Sequence, residues 1–525
     1  MTSSPPLHRV SPAELKAMLS DGGELALVDL REELIFSRNH LLWACNIPLS
    51  RLELQFARRV PRLGTRIVLC DDDDGLVARA ASILSAAGYS DISCLNGGVR
   101  GWEQAGFVLF SGMHVPSKAF GEFIEHASGT PNVSAAELDA MLRSGVDMVV
   151  LDSRPFDEYA RASIPTGVNV PGAELALRVH DLAPSSETTI VVNCAGRTRS
   201  IIGAQSLINA GVPNKVVALR NGTMGWQLAG LTCVQGRSVR YPDTSADALA
   251  WAQSAARQVE KRFGIGCIDR ETLTRWHADK TRTTYVFDVR DPTEYAAGHL
   301  PGAISAPGGQ LVQATDAYIG TLGARIVLSD DKEVRAVMTA SWLKQMGWRD
   351  VFVLPQTGEE TDAPNSVVLG TPSRDVIDVA RLRAMTEVTV IDLSPSPVYK
   401  AGHIPGAWFA IRSRLPQALK TIAPSGSLVL TSEDGVVASL AVNEVRALID
   451  SPVSWLAGGN AAWRSAGLPL STEPRMADEP LDVWLKPYEQ SGDRAAAMNA
   501  YLAWEVDLLE RIKRDGTTNF STTPR

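Results

Sequence analysis

The chain alternates short apolar runs with longer stretches in which apolar and polar residues are mixed, and one such pattern occurs four times. Each copy starts with an apolar run that ends in an aspartate, and a proline-containing turn follows. The four aspartates are Asp29, Asp152, Asp288 and Asp392. The copies lie roughly one hundred residues apart, a spacing that is too long for solenoid repeats. The pattern therefore predicts four whole domains of one type.

Each copy continues with the same predicted elements. A second apolar run, an alanine-rich helical segment and a third short apolar run follow in that order, and a glycine-aromatic stretch such as LNGGVRGWEQAG closes the copy. The third copy has only LPQTGEETDAP at that place. Strands that alternate with helices predict an α/β fold, in which each domain has a central, mainly parallel sheet flanked by helices.

The repeats also predict where the domains begin and end. We expect domains at residues 1–112, 130–236, 265–360 and 372–473, a helical linker at 237–264 and a C-terminal helical extension at 474–525. The extension contains an amphipathic helix from about Asp493 to Arg514. Its predicted apolar stripe consists of Met498, Leu502, Val506, Leu509 and Ile512. That stripe must pack on the rest of the chain or on another subunit, so a homo-oligomer is one of two outcomes.

One stretch of the second copy, TIVVNCAGRTRS at residues 189–200, carries a candidate nucleophile. Its β-branched run ends at Cys194, and a short loop with Arg197 and Arg199 leads into a helical segment. Free amides at the start of a helix and nearby guanidinium groups favour a thiolate and attract anions. The alternative is a buried structural cysteine. Two arginines so close to the thiol argue against that alternative, because they are hard to place in a core.

The other three copies lack a cysteine at this position. The corresponding residues are Asp71, Asp330 and Ser432. Cys70 lies one residue too early, inside its predicted strand, and we interpret it as structural. The first copy has four carboxylates at residues 71–74, which we interpret as a solvated loop that repels anions, with a metal site as the less favoured alternative. Only the second copy is therefore expected to be chemically active.

Taken together, these motifs resemble the rhodanese-like sulfurtransferase superfamily, and the layout is similar to that of its four-domain bacterial members. The resemblance rests on the D-x-R…E-Y…H-x-P-G-A element, the strand–Cys–loop–helix element and the G-G-x-x-x-W-x-x-A-G element. These cover nearly all of the chain between about Val10 and Thr472. The resemblance implies one parallel sheet in each domain and a cysteine that cycles between thiol and persulfide.

The resemblance also assigns roles to residues of the second copy, with Cys194 as the catalytic residue. The substrate-binding loop consists of Ala195, Gly196, Arg197, Thr198, Arg199 and Ser200. The supporting residues are Asp152 and Arg154. We expect Arg197 to be an exposed substrate contact, Arg199 to bind substrate or shape the loop, and Ser200 to be the first helical residue. For Asp152, hydrogen bonds to backbone amides are favoured over direct catalysis.

These features predict a sulfurtransferase of the thiosulfate:cyanide type that moves sulfane sulfur through a Cys194 persulfide. The donor would be thiosulfate, a glutathione persulfide or mercaptopyruvate, and the acceptor a thiol or cyanide. Two alternatives stay open: a non-catalytic scaffold or binding protein, and a Cys-dependent phosphatase or arsenate reductase. The resemblance disfavours the phosphatase, because phosphatases of the related fold use a loop one residue longer.

Composition narrows the partners and the compartment. The 525 residues carry a net charge of −8, and no segment is apolar for long enough to be a signal peptide or a membrane span. We therefore expect a cytoplasmic protein with no nucleic-acid or membrane partner. The six cysteines have no metal-like spacing, so we expect free thiols, no metal and no cofactor.

Overall fold

The structure is a computed structural model that describes residues 7–72, 75–355, 358 and 367–523. Over these residues the chain forms four sheets, each built from strands and helices that alternate along the sequence. The predicted α/β fold with four repeated domains is thereby confirmed. Most of LPQTGEETDAP in the third copy lies outside the described residues, and the exact domain boundaries stay predictions.

The first domain has the strand order β1-β5-β4-β2-β3. Its strands are β1 (His8–Val10), β2 (Ala26–Asp29), β3 (Cys45–Asn46), β4 (Ile67–Cys70) and β5 (Ile92–Leu95). Its helices are α1 (Pro12–Met18), α2 (Glu33–Phe36), α3 (Leu52–Arg59), α4 (Leu76–Ala86) and α5 (Gly98–Gln104). A longer helix, α6 (Val115–Ser128), leads to the second domain.

The second domain repeats this topology with the order β6-β10-β9-β7-β8. Its strands are β6 (Asn132–Val133), β7 (Met148–Asp152), β8 (Val168–Asn169), β9 (Thr189–Asn193) and β10 (Val216–Leu219). Its helices are α7 (Ala135–Ser144), α8 (Phe156–Arg161), α9 (Leu175–Leu182), α10 (Thr198–Asn209) and α11 (Gly222–Leu228). The predicted helical linker contains α12 (Ala246–Phe263).

The third domain has the order β11-β15-β14-β12-β13. Its strands are β11 (Gly266–Cys267), β12 (Thr284–Asp288), β13 (Ile304–Ser305), β14 (Arg325–Ser329) and β15 (Val351–Leu354). Its helices are α13 (Arg270–Ala278), α14 (Pro292–Ala297), α15 (Gly308–Gln313), α16 (Thr315–Tyr318) and α17 (Arg335–Gln345).

The fourth domain adds an edge strand to the same topology, β16-β20-β19-β17-β18-β21. Its strands are β16 (Val376–Ile377), β17 (Val388–Asp392), β18 (Trp408–Phe409), β19 (Ser427–Thr431), β20 (Val453–Leu456) and β21 (Arg475–Met476). Its helices are α18 (Val379–Ala384), α19 (Ser396–Ala401), α20 (Leu415–Ile422), α21 (Val436–Arg446) and α22 (Gly459–Ser465). The C-terminal helix is α23 (Arg494–Asp515). Short 3-10 helices lie at Leu49–Arg51, Gly172–Glu174, Arg412–Arg414 and Pro487–Glu489.

The chain divides into two compact units. The first contains Leu27–Gln104 of the first domain together with the fourth domain. The second contains the second and third domains, Ala13–Ala26 and the C-terminal residues from Lys486 onward. Each unit therefore joins two domains that the repeat pattern treats as separate.

In the second domain, the central strand β9 is buried along its whole length. Ile190 and Val192 belong to one apolar cluster and Val191 to another, because successive side chains of a strand point to opposite faces of the sheet. At the carboxyl end, Asp152 of β7 pairs in register with Asn193 of β9. The residue after β9 therefore emerges at the edge where ligands bind in parallel α/β sheets.

The C-terminal helix α23 packs inside the second unit, against α6 and α11. The predicted apolar stripe is only partly correct, because Val506 is 45% exposed whereas Glu505 is fully buried. The buried residues are Met498, Leu502, Glu505, Leu508, Ile512 and Asp515. The helix thus buries a carboxylate as well as apolar side chains. No helix in the described part of the chain is long and apolar enough to cross a membrane.

In the first unit, the buried carboxyl of Glu32 lies between two hydroxyls. Ser50 donates to Oε2 at 2.9 Å, and Ser413 of the fourth domain donates to Oε1 at 2.7 Å. Burial raises the pKa of Glu32 to about 7, and the effect outweighs the two hydrogen bonds that lower it. Among the charged neighbours, Asp482 adds to the rise and Arg51 opposes it.

We predict that Glu32→Gln removes a pH dependence of stability. The folded protein binds the Glu32 proton more tightly than the unfolded chain does, so the free energy of unfolding of the wild type falls as the pH rises from 4.5 to about 7. The fall is on the order of 3 kcal/mol. Denaturant unfolding at about pH 5 and about pH 8 measures it. An equal fall in wild type and Glu32→Gln would contradict the prediction, and Glu103→Gln, at an exposed position, is the control.

Candidate active site

Cys194 directly follows β9, and α10 begins four residues later at Thr198. The helix starts two residues before the predicted position, Ser200. The Ser200 hydroxyl donates to the carbonyl of Arg197 at 2.8 Å, so this residue closes the first turn of the helix and does not precede it. The loop between strand and helix is therefore shorter than the sequence indicates.

A buried network holds the strand end beside the cysteine. The Asp152 carboxylate accepts hydrogen bonds from the Asn193 amide at 2.9 Å and from the Arg154 guanidinium at 2.6 and 2.8 Å. Ser153 donates its N–H and its hydroxyl to the carbonyl of Asn193. The same aspartate–arginine pair recurs in the first and third domains, as Arg31 with Asp29 and Arg290 with Asp288. Since those domains lack the cysteine, the pair supports the strand end in this fold with or without a thiol.

The cysteine sulfur is enclosed, with Cys194 only 2% exposed. Its Sγ lies 3.5 Å from the hydroxyl oxygen of Ser200, to which the thiol donates. The Ser200 proton points to the carbonyl of Arg197, so rotation of the hydroxyl would let it donate to a thiolate instead. Ser200 can therefore accept a hydrogen bond from the thiol and donate one to the thiolate.

Backbone N–H groups of the loop surround the position of the sulfur. In the described part of the chain, the N–H groups of Gly196, Thr198, Arg199 and Ser200 make no hydrogen bond. Buried backbone donors without acceptors are costly, and a ring of them at a helix start is a binding place for negative charge. The loop is thus prepared for an anion.

The third domain shows what such a loop binds. There Asp330 stands in the place of the cysteine and fills the loop with its own carboxylate. It accepts from the N–H groups of Lys332 at 3.2 Å, Val334 at 2.9 Å, Arg335 at 2.7 Å and Ala336 at 3.4 Å. These positions correspond to Gly196, Thr198, Arg199 and Ser200 of the second domain.

In the first and fourth domains, the corresponding side chain also accepts a hydrogen bond from a loop N–H group. Asp71 accepts from the N–H of Val77 at 3.1 Å, and the Ser432 hydroxyl accepts from the N–H of Ala438 at 3.4 Å. Asp71 is buried, so its interpretation as part of a solvated loop is wrong. The last two aspartates of that loop, residues 73 and 74, lie outside the described residues.

Arg197 is not the exposed contact that the sequence predicts. Helix α6 presents Glu122 and Glu125 to its guanidinium, and the Glu122 pair spans 2.6 Å. Burial raises the pKa of Glu122, although Arg197 opposes the rise. Helix α6 comes close because Gly121 leaves room for Thr198, which a Cβ would approach to 2.8 Å. Arg197 therefore anchors the loop to α6.

Arg199 lies on the other side of the loop. Its guanidinium pairs with Glu158 at 2.8 Å and donates to the amide oxygen of Gln310, in the third domain, at 3.2 Å. Lys486 also pairs with Glu158, at 3.0 Å. Burial alone lowers the pKa of Arg199, but Glu158 and then Cys194 raise it by more, so the guanidinium keeps its charge beside the sulfur.

The C-terminal helix covers the loop at Gly196. A Cβ on this glycine would lie 2.8 Å from Met224 Cε and 3.1 Å from Glu505 Oε2. Glu505 Oε1 accepts from the hydroxyls of Thr198 and Tyr501 and pairs with Lys118. Among the described residues, Glu505 Oε2 has no hydrogen-bond partner. Burial, followed by the neighbouring Glu505, raises the pKa of Tyr501 well above its usual value.

Comparison with known proteins agrees with this architecture. A family profile described as "Rhodanese-like domain" matches residues 11–105, 134–229, 270–356 and 376–466. The chain belongs to the rhodanese-like domain family. It is similar to a crystal structure of a thiosulfate sulfurtransferase from Pseudomonas aeruginosa, with 46% identity and a TM-score of 0.96 over 98% of this chain and 100% of that one.

A curated relative shares a smaller part. An HTH-type transcriptional regulator of Mycobacterium tuberculosis is 32% identical over 117 residues, or 22% of this chain. This chain spans about half the length of that relative, 50%. The match therefore leaves most of this chain and half of that relative uncompared.

The sequence predicts only some of the residues that surround the loop of the second rhodanese-like domain. It placed Cys194, its loop and Asp152 in one site, and their roles stay predictions. It missed Glu122, Lys486 and Glu505, which come from segments outside the repeated pattern. For Glu158 a signal existed, since Glu294 holds the same place in the third copy, six residues after the aspartate.

We predict that Gly222→Ala destabilises this site more than backbone strain alone accounts for. Its Cβ would lie 2.2 Å from the carbonyl oxygen of Cys194, at a backbone φ of +54°. Gly145→Ala is the matched control, since φ is +69° but nothing lies within 4 Å. Left-handed strain costs about 1–2 kcal/mol, and the clash adds about 1–3 kcal/mol in Gly222→Ala. Equal losses in the free energy of unfolding would contradict this account.

Proposed function

We propose that this protein is a sulfurtransferase in which Cys194 takes sulfane sulfur from a thiosulfate-like or persulfide donor and passes it to a thiol or cyanide. The carrier is a Cys194 persulfide. The proposal includes the predicted roles of the loop residues 195–200 as the binding site and of Asp152 and Arg154 as its support.

One observation carries the proposal: the loop N–H groups are unpaired around a cysteine and paired around an aspartate. Asp330 is a negatively charged group that takes four of these N–H groups in the third domain. A persulfide anion on Cys194 carries its charge on the outer sulfur, farther from the strand end than a thiolate charge. It would therefore reach the same N–H groups that the longer aspartate side chain reaches.

The first half-reaction follows from this geometry. The Cys194 thiolate attacks the outer sulfur of thiosulfate, a new S–S bond forms, and the bond between the two sulfurs of the donor breaks. Sulfite leaves with the bonding electron pair, and the negative charge on the persulfide is stabilised by the N–H groups of the loop. Ser200 donates its hydroxyl to the sulfur while the charge is there.

The second half-reaction restores the thiolate. Cyanide, or the thiolate of an acceptor, attacks the outer sulfur of the persulfide, and the S–S bond to Cys194 breaks. The electron pair of that bond returns to the cysteine sulfur, which again has Ser200 as its partner. No external oxidant or reductant is needed, because sulfane sulfur passes from one nucleophile to another.

The charges beside Cys194 favour an anionic donor. Arg199 and Lys486 share one carboxylate, Glu158, so this cluster carries a net positive charge. Burial by itself raises the pKa of Glu158, but Arg199 and Lys486 outweigh burial and the net shift is downward. Glu158 therefore stays ionised at neutral pH and balances only one of the two cations, and a guanidinium is suited to bind oxyanions.

The comparison supports the same function. The Pseudomonas aeruginosa protein that is similar over nearly the whole chain is named a thiosulfate sulfurtransferase. The two alternative functions predict different outcomes of one experiment. An inert scaffold would form no sulfur adduct, and a phosphatase would turn over an aryl phosphate in a manner that depends on Cys194.

We predict that thiosulfate adds one sulfur atom to the wild type and none to Cys194→Ser. Intact-protein mass spectrometry, followed by peptide mapping, measures the adduct, and steady-state rates with thiosulfate, a glutathione persulfide and mercaptopyruvate identify the donor. Cys70→Ser is the matched control. Cys70 is fully buried, and burial raises the pKa of its thiol well above the usual value, so this variant should keep the adduct.

The result that would contradict the proposal is equally defined. If no donor of the panel forms an adduct on Cys194, the scaffold function replaces the sulfurtransferase. If an adduct forms on another cysteine and survives in Cys194→Ser, the assignment of the catalytic residue is wrong.

A further inference from the structure

The second and third domains contribute matching residues to their common boundary. Arg199 and Arg335 both lie five residues after the strand-end residue of the loop, Cys194 or Asp330. Glu158 and Glu294 both lie six residues after the first aspartate of their copy. A third pair lies 22 residues after that aspartate, and it differs in charge: Glu174 in the second domain and Gln310 in the third.

These residues pair across the boundary in a reciprocal way. The guanidinium of Arg335 in the third domain reaches Glu174 of the second at 2.8 Å. The guanidinium of Arg199 in the second domain reaches Gln310 of the third at 3.2 Å. Each domain thus places the residue at position 22 against the loop arginine of the other.

The two arginines differ in how fully their charge is compensated. Arg335 has 0% side-chain exposure and contacts four carboxylates, those of Asp330, Glu174, Glu294 and Asp331. Among the described residues, Arg199 contacts one carboxylate, that of Glu158, which it shares with Lys486. In the third domain, Arg335 forms structural ion pairs that compensate its charge. In the second domain, the positive charge of Arg199 and Lys486 is only partly compensated by Glu158.

We propose that Gln310 is a positioning residue of the third domain that orients Arg199 for an anionic sulfur donor without neutralising it. A glutamate at this place, as at Glu174, would compensate the guanidinium. The amide oxygen of Gln310 holds the same geometry with no net charge. This inference rests on the proposed sulfurtransferase function and gives the third domain, which has no nucleophile, a part in it.

Gln310 also lines a cleft beside the active loop. The cleft has a volume of about 270 Å³ and lies between the two domains. Besides Ser153, Gly172 and Gln310, its lining includes the charged side chains of Asp157, Glu174, Arg240, Arg290 and Asp291. Ser153 Oγ lies 3.3 Å from the carbonyl oxygen of Arg199, so the cleft ends beside the active loop. The cleft therefore borders the hydrogen bond between Gln310 and Arg199.

The test compares Gln310→Glu with Gln310→Ala in the full chain. Gln310→Glu adds a carboxylate within hydrogen-bond distance of Arg199, and we expect the thiosulfate KM to rise about tenfold with kcat within about twofold of the wild type. Gln310→Ala keeps the position uncharged but removes the hydrogen bond that orients Arg199, and we expect the KM to rise about threefold, which is less than in Gln310→Glu. Gln258→Glu, at an exposed position of α12, adds the same charge and serves as the control.

A second readout does not require turnover. Iodoacetate and iodoacetamide alkylate the same thiol and differ in charge, so the ratio of their rates at Cys194, followed on its peptide by mass spectrometry, reports the local potential. We expect the ratio of iodoacetate to iodoacetamide rates to fall about tenfold in Gln310→Glu and to stay within about twofold in Gln258→Glu.

An unchanged ratio in Gln310→Glu would overturn the inference, and so would an equal fall in Gln310→Ala, which would indicate a purely structural role. Because alkylation is independent of sulfur transfer, this ratio decides the role of Gln310 even if no donor is turned over. If the wild type turned over no sulfur donor, that result would contradict the proposed function but not the role of Gln310.

Discussion

The rest of the site depends on one requirement: the N–H groups of the loop between strand and helix need a hydrogen-bond acceptor. A parallel strand that runs into a helix leaves several backbone donors pointing at the first residue after the strand. Three domains satisfy some of these donors with their own side chains, Asp71, Asp330 and Ser432. In the second domain, Cys194 occupies that position and the donors stay open. A fold that is stable with aspartate or serine there has no structural need for a thiol, so chemistry is the simplest reason for the cysteine.

This loop is held from several directions by ion pairs that span the sequence. Helix α6 binds Arg197 through Glu122, the segment before α23 supplies Lys486 to Glu158, and α23 places Glu505 against Gly196. Removing one partner of such a buried pair leaves an uncompensated charge, which is strongly destabilising. These contacts therefore fix the position of the loop. The third domain adds to this framework through the pairing of Glu174 with Arg335. The third domain, which has no cysteine, is therefore part of how the site is shaped.

The sequence was sufficient for the fold, and it also predicts Cys194 as the centre of the site. The signals are local: a strand that ends in an aspartate occurs four times, and a β-branched run ends at Cys194. The fate of Arg197 could not be predicted, because its partner Glu122 lies in α6, between two predicted domains, where nothing repeats. Glu505 was missed for a related reason: a buried carboxylate on α23 contradicts an apolar stripe, and only the packing against α6 and the loop makes it favourable. Contacts between distant segments leave no periodic trace.

The most direct test of the account is a crystal structure of the protein after reaction with thiosulfate. The account predicts electron density for one additional sulfur bonded to Cys194 Sγ, within hydrogen-bond distance of the N–H groups of Gly196, Thr198, Arg199 and Ser200. That atom would occupy the place that the Asp330 carboxylate occupies in the third domain. An unmodified Cys194, or an outer sulfur that points away from these N–H groups, would contradict the central claim that the open loop donors exist to bind a persulfide.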